Sequence, residues 1–306
     1  MIKEPNLEVN IAGVKIKNPV TVASGTFGSG AEYCDITDIS KLGAVTTKGV
    51  ANLPWEGNPT PRVAETYGGM LNAIGLQNPG IEVFIKRDIS FLKQYDTKVI
   101  VNVCGRTEKD YLEVVERLYD EAVDLLEINI SCPNVKEGGI AFGQRAESVE
   151  HITSQIKKYA RQPVVMKLSP NVTDIAEMAR AAQAGGADAL SLINTLTGMK
   201  IDIYKKSFAL ANKTGGLSGP CIKPVALRMV YQAAAAVDIP VIGMGGIAEA
   251  EDAVEFLMAG AAMVSVGTAN FYNPEAGINI VRGISGYLKD NGFNDVNEII
   301  GLARKW

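Results

Sequence analysis

The chain has 306 residues, a formal net charge of −4 and an apolar content of 47%. That is enough apolar material for a sizeable core and places the sequence far from disordered chains. The mild acidity, with no Lys/Arg-rich run, argues against a nucleic-acid surface. The longest apolar stretches are strand-sized and interrupted, so no membrane span is expected. The start, MIKEPNLEVN, has no apolar core of a signal peptide, and a cytoplasmic protein is expected. Cys34, Cys104, Cys132 and Cys221 lie far apart and form no C-x-x-C pair. Neither a zinc nor an iron–sulphur site is signalled, and free thiols in a reducing compartment are expected. With His151 the single histidine, no multi-His metal site is possible, and no metal is expected. Acid–base chemistry falls to Cys, Lys, Asp, Glu or Tyr.

In chain order, LEVNIAGVKIKNP alternates around Ala12-Gly13 and predicts a hairpin. Eight short β-branched runs follow: 19–24, 44–48, 99–103, 125–130, 164–168, 189–194, 240–244 and 263–267. Mostly apolar runs suit strands buried on both faces, as in parallel sheets. The segments between them read as helices. In TDIAEMARAAQAGGADAL, Asp174 stands three residues before Glu177 as a cap, and Ile175, Met178, Ala179 and Ala182 share one face. Gly185 and Gly186 supply a stop. The junctions KLGAVTTK, QAGGADALSL and LMAGAAMVSV repeat the pattern of helix end, small-residue turn and buried strand. Eight like units without a linker predict one domain over 1–306, a (β/α)8 TIM barrel with an N-terminal hairpin. A doubly wound open sheet is the alternative.

The connections 49–97, 131–162 and 195–239 are longer than a simple helix requires, and each follows the C-terminal end of a strand. In β/α barrels that face carries the function. The runs close on Ser24, Lys48, Asn102, Asn129, Lys167, Asn194-Thr195, Gly245-Gly246 and Gly267-Thr268, and the first long connection adds NAIGLQNPG at 72–80. Amides and cations read planar rings bearing carbonyls and carboxylates. Glycines after the seventh and eighth strands let bare N–H groups approach a phosphate. A phosphate-bearing planar cofactor is indicated, and flavin mononucleotide (FMN) fits best.

Plainer readings apply elsewhere. Cys104 and Cys221 read as small buried hydrophobes. Met166, Met244 and Met263 read as core, and His151 as surface. Cys132 differs: it follows a polar strand end, precedes Pro133 and opens a glycine-rich loop, where a reactive thiol makes sense. Lys167, inside the apolar run VVMKLSP, must be paired or functional.

NISCPNVKEGGIAFG (129–143), with NPVTVASGTFG, TTKGV, NAIGLQNPG, VNVCG, KLSPNV, LINTLTGM, GGLSGP, IGMGGI and SVGTANF, resembles the soluble, cysteine-containing dihydroorotate dehydrogenases essentially end to end. NVKEGG and GGLSGPCIKPVALRMV are most similar to the NAD-linked subclass, class 1B. The resemblance implies oxidation of (S)-dihydroorotate to orotate in pyrimidine (UMP) biosynthesis. It implies FMN contacts at Ser24, Lys48, Gly49, Asn102, Asn129, Lys167, Ile193, Gly219, Gly245, Gly246, Gly267 and Thr268. The pyrimidine would be held by Lys48, Asn72, Ala73, Ile74, Gly75, Leu76, Asn129, Asn134, Asn194 and Thr195. Cys132 would be the base that removes the C5 proton while hydride leaves C6 for the flavin, with Lys167 as the second catalytic residue. FAD and a 2Fe-2S cluster would sit on an electron-transfer partner subunit, two of which would join a homodimer into a heterotetramer. The alternatives are a fumarate-dependent dihydroorotate dehydrogenase and a dihydropyrimidine dehydrogenase-like flavoprotein. A Schiff-base aldolase using Lys167 leaves Cys132 and the glycine pairs without linked roles, and a non-catalytic barrel leaves all of them without one.

Overall fold

The structure is a computed structural model that describes residues 4–131 and 142–305. The eight expected runs form β1 (Val20–Val22), β2 (Ala44–Thr46), β3 (Lys98–Val103), β4 (Leu125–Asn129), β5 (Val164–Lys167), β6 (Ala189–Leu192), β7 (Val241–Met244) and β8 (Met263–Val266). Every hydrogen-bonded pair among them is parallel, in the order β1-β8-β7-β6-β5-β4-β3-β2. The two end strands then meet. The Gly43 N–H donates to the Val20 carbonyl at 3.0 Å, and the hydroxyls of Thr21 and Thr46 lie 3.1 Å apart. A Cβ on Gly43 would stand 2.1 Å from the Asn18 carbonyl, so only glycine permits this approach. The open-sheet alternative is thereby excluded, and the fold is a closed (β/α)8 barrel.

The outer ring contains α1 (Glu108–Arg117), α2 (Ala146–Tyr159), α3 (Ile175–Ala184), α4 (Lys223–Ala236), α5 (Ala250–Ala259) and α6 (Ala276–Asp290). Asp174 caps α3 by accepting from the N–H groups of Ala176 and Glu177, and all four predicted face residues are buried. Gly186 follows at φ +93°, the left-handed turn that ends such helices. The repeat is less regular than expected at its start. Between β1 and β2 stands only the 3-10 turn Ile39–Lys41, and between β2 and β3 the helical residues 81–92 pass through a π-helical stretch at Ile85–Ile89.

The N-terminal hairpin pairs Val9–Ile11 with Val14–Ile16. Its turn residues Ala12 and Gly13 both have positive φ, as a two-residue hairpin turn requires, and Ile11 and Ile16 are buried in the main core. No helix among the described residues is long and apolar enough to cross a membrane. The first and third long connections contribute a second sheet over the C-terminal mouth, which the sequence reading did not foresee. It runs in the order Leu196–Met199, Thr214–Ser218, Gly69–Asn72, Val63–Thr66, all antiparallel. Cys221, read as a buried hydrophobe, is instead exposed, because it sits on the 3-10 turn Pro220–Ile222 beside that sheet. Cys104, Met166, Met244 and Met263 are buried as expected, and His151 lies at the surface against Glu108.

Candidate active site

The floor of the mouth is assembled by strand register. In parallel strands, residues directly opposite one another point the same way. Asn102 on β3 stands opposite Glu127 on β4, and Asn129 on β4 stands opposite Lys167 on β5. Asn102 Nδ2 donates to Glu127 Oε1 at 2.6 Å. The same oxygen lies 3.4 Å from Lys167 Nζ, which also donates to Ser24 Oγ, at the end of β1, at 3.2 Å. Both charged side chains are almost completely enclosed, 4% exposed for Lys167 and 3% for Glu127. A cation buried this deeply needs such a partner. Glu127 was not singled out in the sequence, although a carboxylate in the apolar run LLEINI is the same kind of signal that marked Lys167.

Above this floor the amides are already bonded to one another. Asn194 Nδ2 donates to Asn129 Oδ1 at 3.3 Å, and Asn194 Oδ1 accepts from the Thr195 N–H at 2.8 Å. The Asn129 carbonyl accepts from the buried Tyr111 hydroxyl at 2.7 Å, which pins the strand end. Asn72 reaches the same space from the mouth sheet, where it is the register partner of Gly216. The loop that follows it is clamped. Asn58 Nδ2 donates to the Ala73 carbonyl, and the Asn58 N–H to that of Ile74. Gly75 and Leu76 turn through positive φ. The Lys48 ammonium lies over Gly25, where a Cβ would come within 3.3 Å of it.

The opposite rim is a glycine arc. Gly219, Gly245 and Gly246 have φ of +105°, +125° and +79°. A Cβ on Gly245 would meet Ala226 at 2.6 Å, and one on Gly246 would meet Lys223 at 2.8 Å, so α4 packs directly against this backbone. Among the described residues, the N–H groups of Gly245, Gly246 and Thr268 donate to no protein acceptor. Nearby Lys223 is not available to an anion, because its Nζ is held by Asp252 at 2.6 Å and Glu255 at 3.2 Å. The hydrogen bond to Asp252 raises the Lys223 pKa above the usual lysine value. Burial pushes the Asp252 carboxyl up, but the bond to Lys223 and the N–H groups of Ala248 and Glu249 hold it below the usual carboxylate range. Anion binding here is therefore work for backbone dipoles.

Ser24, Lys48, Asn72, Asn102, Asn129, Lys167, Asn194, Thr195 and the glycine arc line one cavity of about 1660 Å³, with Glu127 and Tyr111 just behind its wall. Every predicted site residue that the structure describes lies on its wall. Gly49, Ile193 and Gly267 join those already placed. Cys132 and Asn134 lie outside the described residues. Among the lining residues that the sequence did not mark are Asn171 and Ser218. Asn171 donates to the Thr195 carbonyl and accepts from the Thr197 N–H, and Ser218 accepts from Thr268 Oγ1 at 2.8 Å. Asn171 stood in the quoted motif KLSPNV. Ser218 carried no signal, because its place depends on the mouth sheet.

The donor set suits a phosphate-bearing flavin. Among the described residues, Asn102 Oδ1 is buried without a protein partner and the N–H arc is bare, and the buried Lys167 cation lies in the same cavity. Fold and site together define a (β/α)8 barrel with a large, polar-lined cavity at its C-terminal mouth. The sequence model for the family described as dihydroorotate dehydrogenase matches residues 6–288. A protein of Lachnoclostridium phytofermentans, named dihydroorotate dehydrogenase B (NAD(+)), catalytic subunit, is 66% identical over 98% of this chain and 100% of its own length. Proteins of the same name from Alkaliphilus metalliredigens and Geotalea uraniireducens are 63% and 55% identical, each over 97% of this chain and 98% of its own length. The chain belongs to the dihydroorotate dehydrogenase family.

Proposed function

We propose that this chain is the dihydroorotate-oxidising, FMN-binding subunit of an NAD-linked dihydroorotate dehydrogenase of the cytoplasm. The observation that carries the reading is the pairing, in one cavity, of the buried Lys167 floor with the bare N–H arc of Gly245, Gly246 and Thr268. FMN, when bound, supplies the two-electron acceptor for the hydride that leaves C6 of the substrate. The N–H arc with Gly219 and Gly267 holds its phosphate, while Ser24, Gly49, Asn102, Asn129, Lys167 and Ile193 hold its ring. Lys167 places positive charge where a reduced ring gains negative charge. Asn72, Asn129, Asn134 and Asn194, with Thr195 and the 73–76 loop, orient the pyrimidine, and Lys48 meets its carboxylate. Cys132 takes the C5 proton. A thiol with an ordinary pKa of about 8.5 needs only a modest shift to work as a base near neutrality. Cys34, Cys104 and Cys221 form no disulfide among the described residues, which suits a reducing cytoplasm.

The relatives' designation as catalytic subunits supports a second, electron-transferring subunit. FAD and a 2Fe-2S cluster belong to that subunit, and a homodimer of this chain with two such partners makes the heterotetramer. The test uses the purified chain. It should be yellow, with one FMN per chain, and should oxidise dihydroorotate with a small dye but not with NAD. Adding the partner should restore NAD reduction. A colourless protein overturns the flavin reading, NADH formation by the isolated chain overturns the partner, and fumarate reduction moves the chain to the fumarate-dependent type.

A further inference from the structure

We infer that Glu127 is a positioning residue, whose single oxygen Oε1 sets both the location of the Lys167 cation and the hydrogen-bonding polarity of Asn102. This rests on the proposal that FMN occupies the mouth. Oε1 lies 2.6 Å from Asn102 Nδ2 and 3.4 Å from Lys167 Nζ. An ionised carboxylate only accepts hydrogen bonds, so the amide must turn its NH2 toward it. That choice follows from chemistry and does not depend on which amide atom is labelled nitrogen. The Asn102 oxygen then faces Gly49, where a Cβ would stand 2.7 Å from it, and it stays buried with no protein partner among the described residues. The floor thus presents an acceptor and no donor at this point, which suits a ring N–H such as the one between two carbonyls of an isoalloxazine. A buried acceptor left unmet is costly, so the site discriminates against rings lacking that N–H.

The second consequence is electrostatic. Lys167 alone would put a full positive charge under the ring. Glu127 makes the pair formally neutral, so the ring feels a nearby cation partly offset by an anion one hydrogen bond deeper. Replacing Glu127 by neutral glutamine should therefore stabilise negative charge on the reduced ring and raise the flavin midpoint potential. It also lets Asn102 turn either way, because a glutamine amide can donate as well as accept.

The experiment compares wild-type holoenzyme with Glu127→Gln. FMN affinity is measured by fluorescence titration of the apoprotein, and the midpoint potential by dye-coupled reductive titration. The variant should bind FMN about tenfold more weakly, the equivalent of one buried hydrogen bond, and its potential should be more positive than wild type. A purely structural role for Glu127 would lower the melting temperature and leave the potential of the loaded fraction where it was. That result overturns the inference. Should Glu127→Gln not fold, Glu127→Asp keeps the charge but withdraws the oxygen by one methylene. Smaller shifts in the same two directions are expected, and unchanged affinity and potential overturn the inference. A wild type that takes up no FMN overturns the flavin reading as well. A wild type that takes it up beside an unaltered glutamine variant overturns only the role of Glu127.

Discussion

Asn102, Glu127 and Lys167 hang from three neighbouring barrel strands and are all buried. Asn72 reaches the same cavity from the mouth sheet, where most residues are half-buried or exposed. The strands of the floor belong to the main core. The roof has its own small cluster of Leu71, Ala73 and Leu210. In the floor, charges are enclosed and their interactions are strong, so geometry is set before any ligand arrives. In the roof, polar groups remain near water and adapt at low cost. On the proposed reading, the groups that hold a constant electrostatic environment sit on strands, Asn72 and the 73–76 loop that would admit the substrate sit on a long connection, and Asn129 at a strand end serves both.

Lys167→Ala breaks the floor most severely. Glu127 is left buried without its cation, and the loss should be about 3–5 kcal/mol of stability, measured by denaturant unfolding of the apoprotein. Loss of bound FMN should accompany it. Unaltered unfolding would mean that the pair is not mutually compensating.

Cys132→Ala tests the chemistry assigned to the second long connection. FMN and orotate should still bind, but flavin reduction by dihydroorotate should slow by about a hundredfold or more in stopped flow. That corresponds to about 2.7 kcal/mol of barrier. Near-normal reduction would move the base elsewhere.

The amides sharpen the contrast between floor and roof. Asn72→Ala, Asn129→Ala, Asn134→Ala and Asn194→Ala should each weaken orotate binding by roughly 1–3 kcal/mol, read from the flavin spectrum. Asn129→Ala should also lower stability, because it removes the acceptor of both Asn194 and the Ser131 N–H. Asn72→Ala should not, since among the described residues its side chain makes only a long 3.5 Å contact to the Gly216 carbonyl.

The smallest effect concerns the support of the glycine arc. Asp252 has a folded pKa below its unfolded value. Its contribution is therefore complete above the unfolded pKa of about 3.9 and is lost as pH falls through the lower folded value. Melting temperatures of wild type and Asp252→Asn should differ at pH 7 and converge toward pH 3. A difference independent of pH would show that the Lys223–Asp252 pair adds nothing.

Much of this molecule is legible in one dimension because its information is local. A strand buried on both faces must be apolar over four or five residues, and LLEIN, VVMK, ALSL, VIGM and MVSV announce themselves without reference to the rest of the chain. Polar residues at the ends of such runs have few places to go except the mouth, which is why Ser24, Asn102, Asn129, Lys167 and Asn194 could be named in advance. The helix cap at Asp174 and the hairpin turn at Ala12-Gly13 are equally local, since each depends on atoms within four residues.

What the sequence alone left open depends on pairs of residues far apart in the chain. Closure of the barrel needs Gly43 to admit the Asn18 carbonyl, and glycine is also merely a common turn residue. The mouth sheet joins strands from two connections more than a hundred residues apart, Gly69–Asn72 with Thr214–Ser218, and neither edge shows the long alternation that marks a strand. Their pairing exists only once the barrel has brought the connections together, and the exposure of Cys221 and the role of Ser218 follow from it. Glu127 lies on the same boundary. Its presence in an apolar strand is visible in the sequence, but its meaning is not. Only strand register decides that Asn102 stands opposite it and that Lys167 comes within 3.4 Å, turning an improbable buried charge into one end of a compensated pair.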